Sequence, residues 1–329
     1  MRISLHAPSQ NAATRRWHRL RCAAVIVLMQ AIACAHAAPP APAAGDDVEL
    51  SIRDNWPEKF TDTLHYRRVS VATHPDGRKV ERGYLATIDV AIRERRGDVT
   101  LISWTYTHMT LNGKPQADLA MDLSVTPEGV VELLNIDDVQ QKLLVQAAKP
   151  KPKSDDPWDM NGDERMNLAR NRDAIANFYA RDPNLFFYPL DTEVHRDRAV
   201  EYDTLIAGLG DDTLAAVDRW TMLPGQDVPS GTVAVEWTQE MDCRDFKRNS
   251  TQVMTDIGKE IEVSKGALAR SGVYALDRKT FWPHVARIST QMSVLPGHLH
   301  VETIDMRSKL LDAAWKHWRT DESPSPEPQ

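Results

Sequence analysis

The chain has 329 residues, 40 basic and 47 acidic side chains, and a formal net charge of −7 at pH 7. An acidic balance of this kind argues against nucleic acid and anionic membrane surfaces as partners. With three cysteines in all, stability has to come from a buried core, and the length suffices for one or two.

The first 37 residues predict a secretory signal peptide. Arg15, Arg16, Arg19 and Arg21 precede an apolar run from Ala23 to Ala33, and Ala35-His36-Ala37 supplies a small-x-small cleavage site. The run is too short to span a bilayer core of about 30 Å. Cleavage after Ala37 leaves Pro39 second in the exported chain, where it is tolerated. The alternative is Ala31-Ile32-Ala33-Cys34, which resembles a lipobox with Ala31 in place of the usual leucine, so that Cys34 would carry a diacylglyceryl group. The leader holds five arginines and no acidic residue, so its removal makes the chain more acidic still. A soluble exported chain keeps Cys243 alone, read as a small buried hydrophobe. The expected location is the periplasm, soluble after cleavage or tethered through Cys34, with a Pro/Ala linker over residues 38–50 as spacer.

Past the linker the chain alternates with period two, the mark of half-buried antiparallel strands. A strand around Tyr66 to Val71 turns at His74-Pro75-Asp76-Gly77 into one starting near Gly83. There Tyr84, Ala86, Ile88, Val90 and Ile92 share one face, while Thr87, Asp89, Arg93 and Arg95 form much of the other. Arg96-Gly97-Asp98 leads into a strand whose Ile102, Trp104, Tyr106 and His108 share a face. Residues 119–125 and 130–135, split by Pro127-Glu128-Gly129, form a further hairpin. Asp137 to Ala148 predicts a short helix with Val139, Leu143 and Leu144 on one stripe. Residues 51–148 are thus an N-terminal β meander.

Residues 149–162 form an acidic, proline-rich linker and the best internal boundary. Asp163 to Ala180 predicts a helix, with Asp159 or Asn161 as cap and Asp182-Pro183 as its stop. Strands follow over Val200 to Ile206, Thr213 to Leu223 and Gly231 to Glu240, and later over Ser271 to Leu276, His284 to Leu295 and His298 to Met306. Residues 250–264 fit either helix or strand. A short helix from Ser308 to Trp318 completes a region of helix plus C-terminal β meander over 163–319, and 320–329 is a disordered tail. The fold class is β-rich α+β: curved antiparallel meanders around a central helix. Two similar halves and one large curved sheet both fit, since no residue-level repeat decides between them.

In its strand order, and in turns such as Pro127-Glu128-Gly129 and Leu276-Asp277-Arg278, the chain resembles the lipoprotein-carrier folds of the bacterial envelope. In those folds curved antiparallel sheets close over helices. The resemblance implies a sheet face that could take up lipid, although architecture does not fix function.

Three groups of residues are candidate sites. His298, His300 and Glu302 alternate on one strand, so two imidazoles and a carboxylate could converge on zinc, with His284 of the neighbouring strand as a fourth ligand. The same alternation suits a solvent face with Leu299 and Val301 on the core side, and that reading is preferred. Ile102, Trp104 and Tyr106 could line a concave face that holds an acyl chain, or pack against the central helix, Met166 to Phe178; packing is preferred. Asp155 to Glu164 looks like a calcium loop, but aligning Gly162 with the sixth loop position puts Pro157 first and Leu168 twelfth, where oxygen ligands are required. Gly208-Leu209-Gly210 lacks the third glycine of a dinucleotide site. Acid pairs such as Glu193 with Asp197 are too numerous to single out.

The expected function is therefore that of an exported, non-catalytic envelope binding protein. It would hold a protein partner, for example as a toxin-neutralising immunity protein, or an apolar ligand. A lipid or lipoprotein carrier and a metal-dependent hydrolase are the alternatives. A concave face filled by the protein's own helix would count against the carrier.

Overall fold

The computed structural model describes residues 50–148, 166–196 without 168, 198–207, 213–224, 231–241, 267–293 and 297–310, with 228, 244 and 248. The elements in chain order are β1 (Leu50–Ser51), β2 (Thr61–Thr73), β3 (Lys79–Arg96), β4 (Val99–Leu111), β5 (Lys114–Pro115), β6 (Leu119–Val125) and β7 (Val131–Leu133). Two helices follow, α1 (Ile136–Ala147) and α2 (Arg172–Phe187). The chain then continues through β8 (Glu193–Val194), β9 (Val200–Ala207), β10 (Thr213–Met222), β11 (Thr232–Met241), β12 (Ala267–Asp277), β13 (Pro283–Ser293) and β14 (Leu299–Ser308).

The two meanders join in one 12-stranded antiparallel sheet, ordered β7-β6-β4-β3-β2-β14-β13-β12-β11-β10-β9, with β5 paired beside β4. Strands close in sequence pair with each other except at one seam. There β2, the first long strand, runs against β14, the last, from Thr73 opposite Leu299 to Leu64 opposite Ser308. A separate ribbon pairs β1 with β8, so Leu50, expected in the linker, is already in a strand.

The sheet wraps around the end of α2. The Phe186 ring lies 5.6 Å from Trp104 on β4 and 5.6 Å from Trp282 at the start of β13. In a flat sheet those strands would stand about 19 Å apart, so one ring can meet both only if the sheet bends. Trp104, Phe186, Phe187 and Trp282 are all at most 1 % exposed and belong to one core that draws on both meanders.

Asn171 caps α2: its side chain accepts from Ala174 N–H at 3.1 Å. Asp159 and Asn161, the expected caps of a helix from Asp163, lie outside the described residues. The expected stop at Asp182-Pro183 does not occur, because the helix runs through Pro183 to Phe187. An internal proline costs roughly 3 kcal/mol or more. Burying a Leu or Phe side chain returns about 1.5–3 kcal/mol each, and Leu185, Phe186 and Phe187 are all buried just beyond it. Tyr274 O–H donates to the Leu185 carbonyl at 2.9 Å, and the Asn184 side chain accepts from Val131 N–H on edge strand β7 at 2.9 Å. At the β6–β7 turn Gly129 has φ +79, and a Cβ there would sit 2.5 Å from the Phe187 carbonyl oxygen. Only glycine allows that approach.

Helix α1 is held more lightly. Val139 is its one buried residue, Leu143 packs on the core edge, and Asp137 pairs with Arg172 of α2. Ser308, expected to open a helix, is the last residue of β14. Residues 311–318, Cys34, Cys243, the linker 149–162, residues 250–264 and Gly208-Leu209-Gly210 lie outside the described residues.

Candidate functional site

A cavity of about 410 Å³ opens between the sheet and the two helices. Strands β2, β3 and β4 contribute Tyr66, Arg68, Tyr84, Tyr106 and Met109; α1 contributes Lys142 and Leu143; α2 contributes Phe178, Tyr179, Arg181 and Asp182. Alternation explains most of this lining, since the even positions of β2 and β3 face inward. Met109 is the exception. On β4, Thr107 opposes Thr87 and Thr110 opposes Leu85, so the strand carries a bulge opposite Ala86. His108 takes φ +51 in that bulge. The extra residue reverses the alternation: it exposes His108, expected beside Tyr106, and brings Met109 to the cavity.

The floor of the cavity is a buried network of charges. Asp182 Oδ2 accepts from Tyr66 O–H at 2.7 Å and Tyr106 O–H at 3.3 Å, and its Oδ1 accepts from Arg181 Nε and Nη2 at 2.9 and 2.7 Å. Arg181 Nη1 stands 3.4 Å from Glu302 Oε1, and the other Glu302 oxygen is gripped by Arg68. Arg68 and Glu302 are diagonal neighbours across the seam, since Arg68 opposes Ile304 and Ser70 opposes Glu302. One polar chain therefore ties β4, β2, β14 and α2 together.

Burial alone would raise the Asp182 and Glu302 carboxyls. The Arg181 and Arg68 guanidiniums outweigh it and hold both below the usual carboxylate range. Burial, and then the Asp182 charge, pushes the Tyr66 and Tyr106 phenols well up, so both stay protonated as donors. Burial also lowers the His300 imidazole, with only partial relief from Glu302.

The candidate residues fall in different places. Tyr106 lines the cavity, whereas Ile102 and Trp104 are closed in the core, Trp104 against Phe186 and Phe187. The residues that fill the concave face are Leu185 to Phe187, beyond the Met166–Phe178 segment expected to do so, while Phe178 borders the cavity. On β14 the preferred solvent face is inverted: Glu302, Ile304 and Met306 are buried, and Leu299 and Val301 are only half-buried. The seam with β2 sets that orientation. His298 sets its ring against His74 at 5.5 Å, and Glu302 is taken by two arginines. His284 pairs far along the strand, beside the β14 end at Arg307, whereas His300 opposes Met292. Eight residues of strand separate them, about 26 Å, so His284 does not complete a site with His300. Among the described residues, no group of three or more His, Cys, Asp or Glu side chains is placed to hold a metal ion.

Arg68 and Arg181 were not singled out from the sequence, and Tyr84 and Asp182 were read there only as part of a strand face and of a helix stop. The signal for Arg68 was present: Leu64-x-Tyr66-x-Arg68 puts an arginine in phase with an apolar face.

No family model and no curated protein matches the chain. Among solved structures it is similar to lipovitellin, in a structure concerning lipid–protein interactions, at 9% identity and TM-score 0.45 over 78% of this chain. It spans 25% of the lipovitellin chain. It is also similar to a Bacteroides fragilis exported protein with a YmcC-like fold, at 8% identity and TM-score 0.24, over 79% of this chain and all of that one. A Rhodopseudomonas blastica porin triple mutant gives 9% identity and TM-score 0.25, over 76% of this chain and all of that one. At scores this low none of these likenesses bears on function. Among the described residues no helix is long and apolar enough to cross a membrane.

Proposed function

We propose that this is an exported binding protein whose cavity holds one small amphipathic ligand. The observation that carries the reading is the cavity itself. Its volume of about 410 Å³ falls within the roughly 300–1,000 Å³ of small-molecule sites. Its lining combines apolar Met109, Leu119, Leu143 and Phe178 with polar Arg68, Tyr66 and Tyr84. Its described lining contains no Ser, Cys or His, and Asp182 is committed to Tyr66, Tyr106 and Arg181, which favours binding over chemistry. The aromatic side chains that fill the rest of the concave face disfavour a bulky cargo, and with it the lipoprotein carrier. The leader of residues 1–37 supports export, so the ligand would be met in the periplasm.

The test is a fluorescence titration of the exported chain, residues 38–329, with the neutral probe N-phenyl-1-naphthylamine. Saturable one-to-one binding is expected, and Leu143→Trp, which fills the cavity from the half-buried face of α1, should abolish it. Undiminished binding in Leu143→Trp would place the ligand elsewhere. Absence of saturable binding by the unaltered chain would end the proposal.

A further inference from the structure

We infer that the cavity selects an anionic head group, a carboxylate or phosphate carried on a single apolar chain; this rests on the binding function proposed above. Donors and acceptors around the cavity do not balance. Asp182, the carboxylate that lines the cavity, is hydrogen-bonded to Tyr66, Tyr106 and Arg181. Beneath it Glu302 is held by Arg68 through Oε2, and its Oε1 faces Arg181 Nη1 at 3.4 Å as an ion pair without a hydrogen bond. Donors are left over. Arg68 uses Nε and Nη2 on Glu302, which leaves Nη1 with no acceptor among the described residues, on a side chain that lines the cavity and is 19% exposed. The Tyr84 and Tyr179 side chains also line the cavity, their hydroxyls without a hydrogen bond among the described residues, and Lys142 lines it from the exposed side of α1.

These donors surround one space. Arg68 on β2 is the register partner of Tyr84 on β3, and Tyr179 lines the same cavity from α2. Charge points the same way. Arg68, Arg181 and Lys142 face Asp182 and Glu302 as the ionised groups of the cavity and its floor, which leaves a positive excess inside a protein of net charge −7. A ligand that brings acceptor oxygens and a negative charge satisfies the free donors. Among the described lining residues the carboxylate, Asp182, is already engaged, so an amine would find no free partner there, and an alcohol would leave the charge unanswered. The apolar side chains Met109, Leu119, Leu143 and Phe178 then take the chain.

The experiment is displacement of bound N-phenyl-1-naphthylamine by dodecanoate, dodecyl phosphate, dodecanol and dodecyltrimethylammonium. At least one of the two anions should displace the probe about thirtyfold more tightly than dodecanol, and the tighter anion identifies the head group. The ammonium should be weakest. Lys142→Gln and Tyr84→Phe, neither of which breaks a buried pair, should each narrow the ratio of anion to alcohol. Equal displacement by anions and alcohol, or a ratio unchanged in both variants, would overturn the anionic inference while the cavity reading stands. Failure of the probe itself to bind would remove both.

Discussion

Replacing Glu302 with glutamine tests the network at the seam most directly. Glu302 is 1 % exposed and stands between two guanidiniums, Arg68 across the seam and Arg181 on α2. The two cations act against each other, and Glu302 compensates both, sharing Arg181 with Asp182. Glu302→Gln keeps the shape and removes the charge, which leaves two facing cations partly or wholly buried. Removing one partner of a buried pair typically costs about 3–5 kcal/mol, a large share of the ~5–15 kcal/mol that holds a typical domain folded. At about 2–4 °C per kcal/mol for a chain of this order of size, the midpoint should fall by roughly 6–20 °C. Urea unfolding at pH 7, followed by circular dichroism, should show the same loss as a lower midpoint with an unchanged slope. Arg68→Gln and the double variant complete a cycle, and a coupling energy above about 1 kcal/mol is expected. A loss below about 1 kcal/mol in Glu302→Gln would show instead that the two guanidiniums do not depend on this carboxylate.

The pH dependence follows from the same groups. Asp182 and Glu302 titrate below their ordinary values of 3.8 and 4.5, so their stabilisation is full above those values and is lost as pH falls through the lower folded ones. Acid unfolding should therefore be steep below about pH 4 and shallower in Glu302→Gln, as read by fluorescence across a pH series. Asp218 behaves in the opposite sense: burial raises it, with relief from Tyr188 and Gln239, so its contribution is fully present below 3.8 and lost as pH rises through the folded value. Asp218→Asn should accordingly match or exceed the parent in stability at pH 7 and flatten that limb of the profile; a clear loss of stability at pH 7 would contradict it. Gly129→Ala should cost roughly 2 kcal/mol or more, since its φ of +79 and the Phe187 carbonyl 2.5 Å away both oppose a Cβ; urea unfolding reads it, and a neutral result would mean that the turn moves off α2.

The filled concave face narrows the function more than the fold class does. Trp104, Phe186, Phe187 and Trp282 occupy the middle of the sheet's inner surface. On the other flank Tyr188 packs on Trp220 and Trp237. What stays open is the end bordered by Tyr84, Met109 and α1. Helix α1 is the lightly held wall of that opening, which makes Leu143 and Lys142 the positions where a ligand can be blocked or discriminated without disturbing the core.

Local chemistry was legible from the chain alone. The alternation of Tyr84 to Ile92, the turns at Pro75-Asp76-Gly77 and Pro127-Glu128-Gly129, and the helix over α1 all depend on neighbours a few residues apart, and the structure bears them out. Three features depended on distant partners. The parity of β14 could not be read locally, because Leu299 and Val301 are as apolar as Ile304 and Met306; pairing with β2 at the far end of the sequence decides it. Pro183 reads as a stop to any local rule, and only the burial of Leu185, Phe186 and Phe187 against both meanders carries the helix past it. The bulge at His108 shifts a register without a glycine to announce it. The charge network has the same origin: Arg68, Arg181 and Glu302 are ordinary surface residues in sequence, and they meet only where the first long strand, the last strand and the central helix converge. Alternation and turns are set by the backbone within each segment, whereas the cavity and its charges are set by which segments meet.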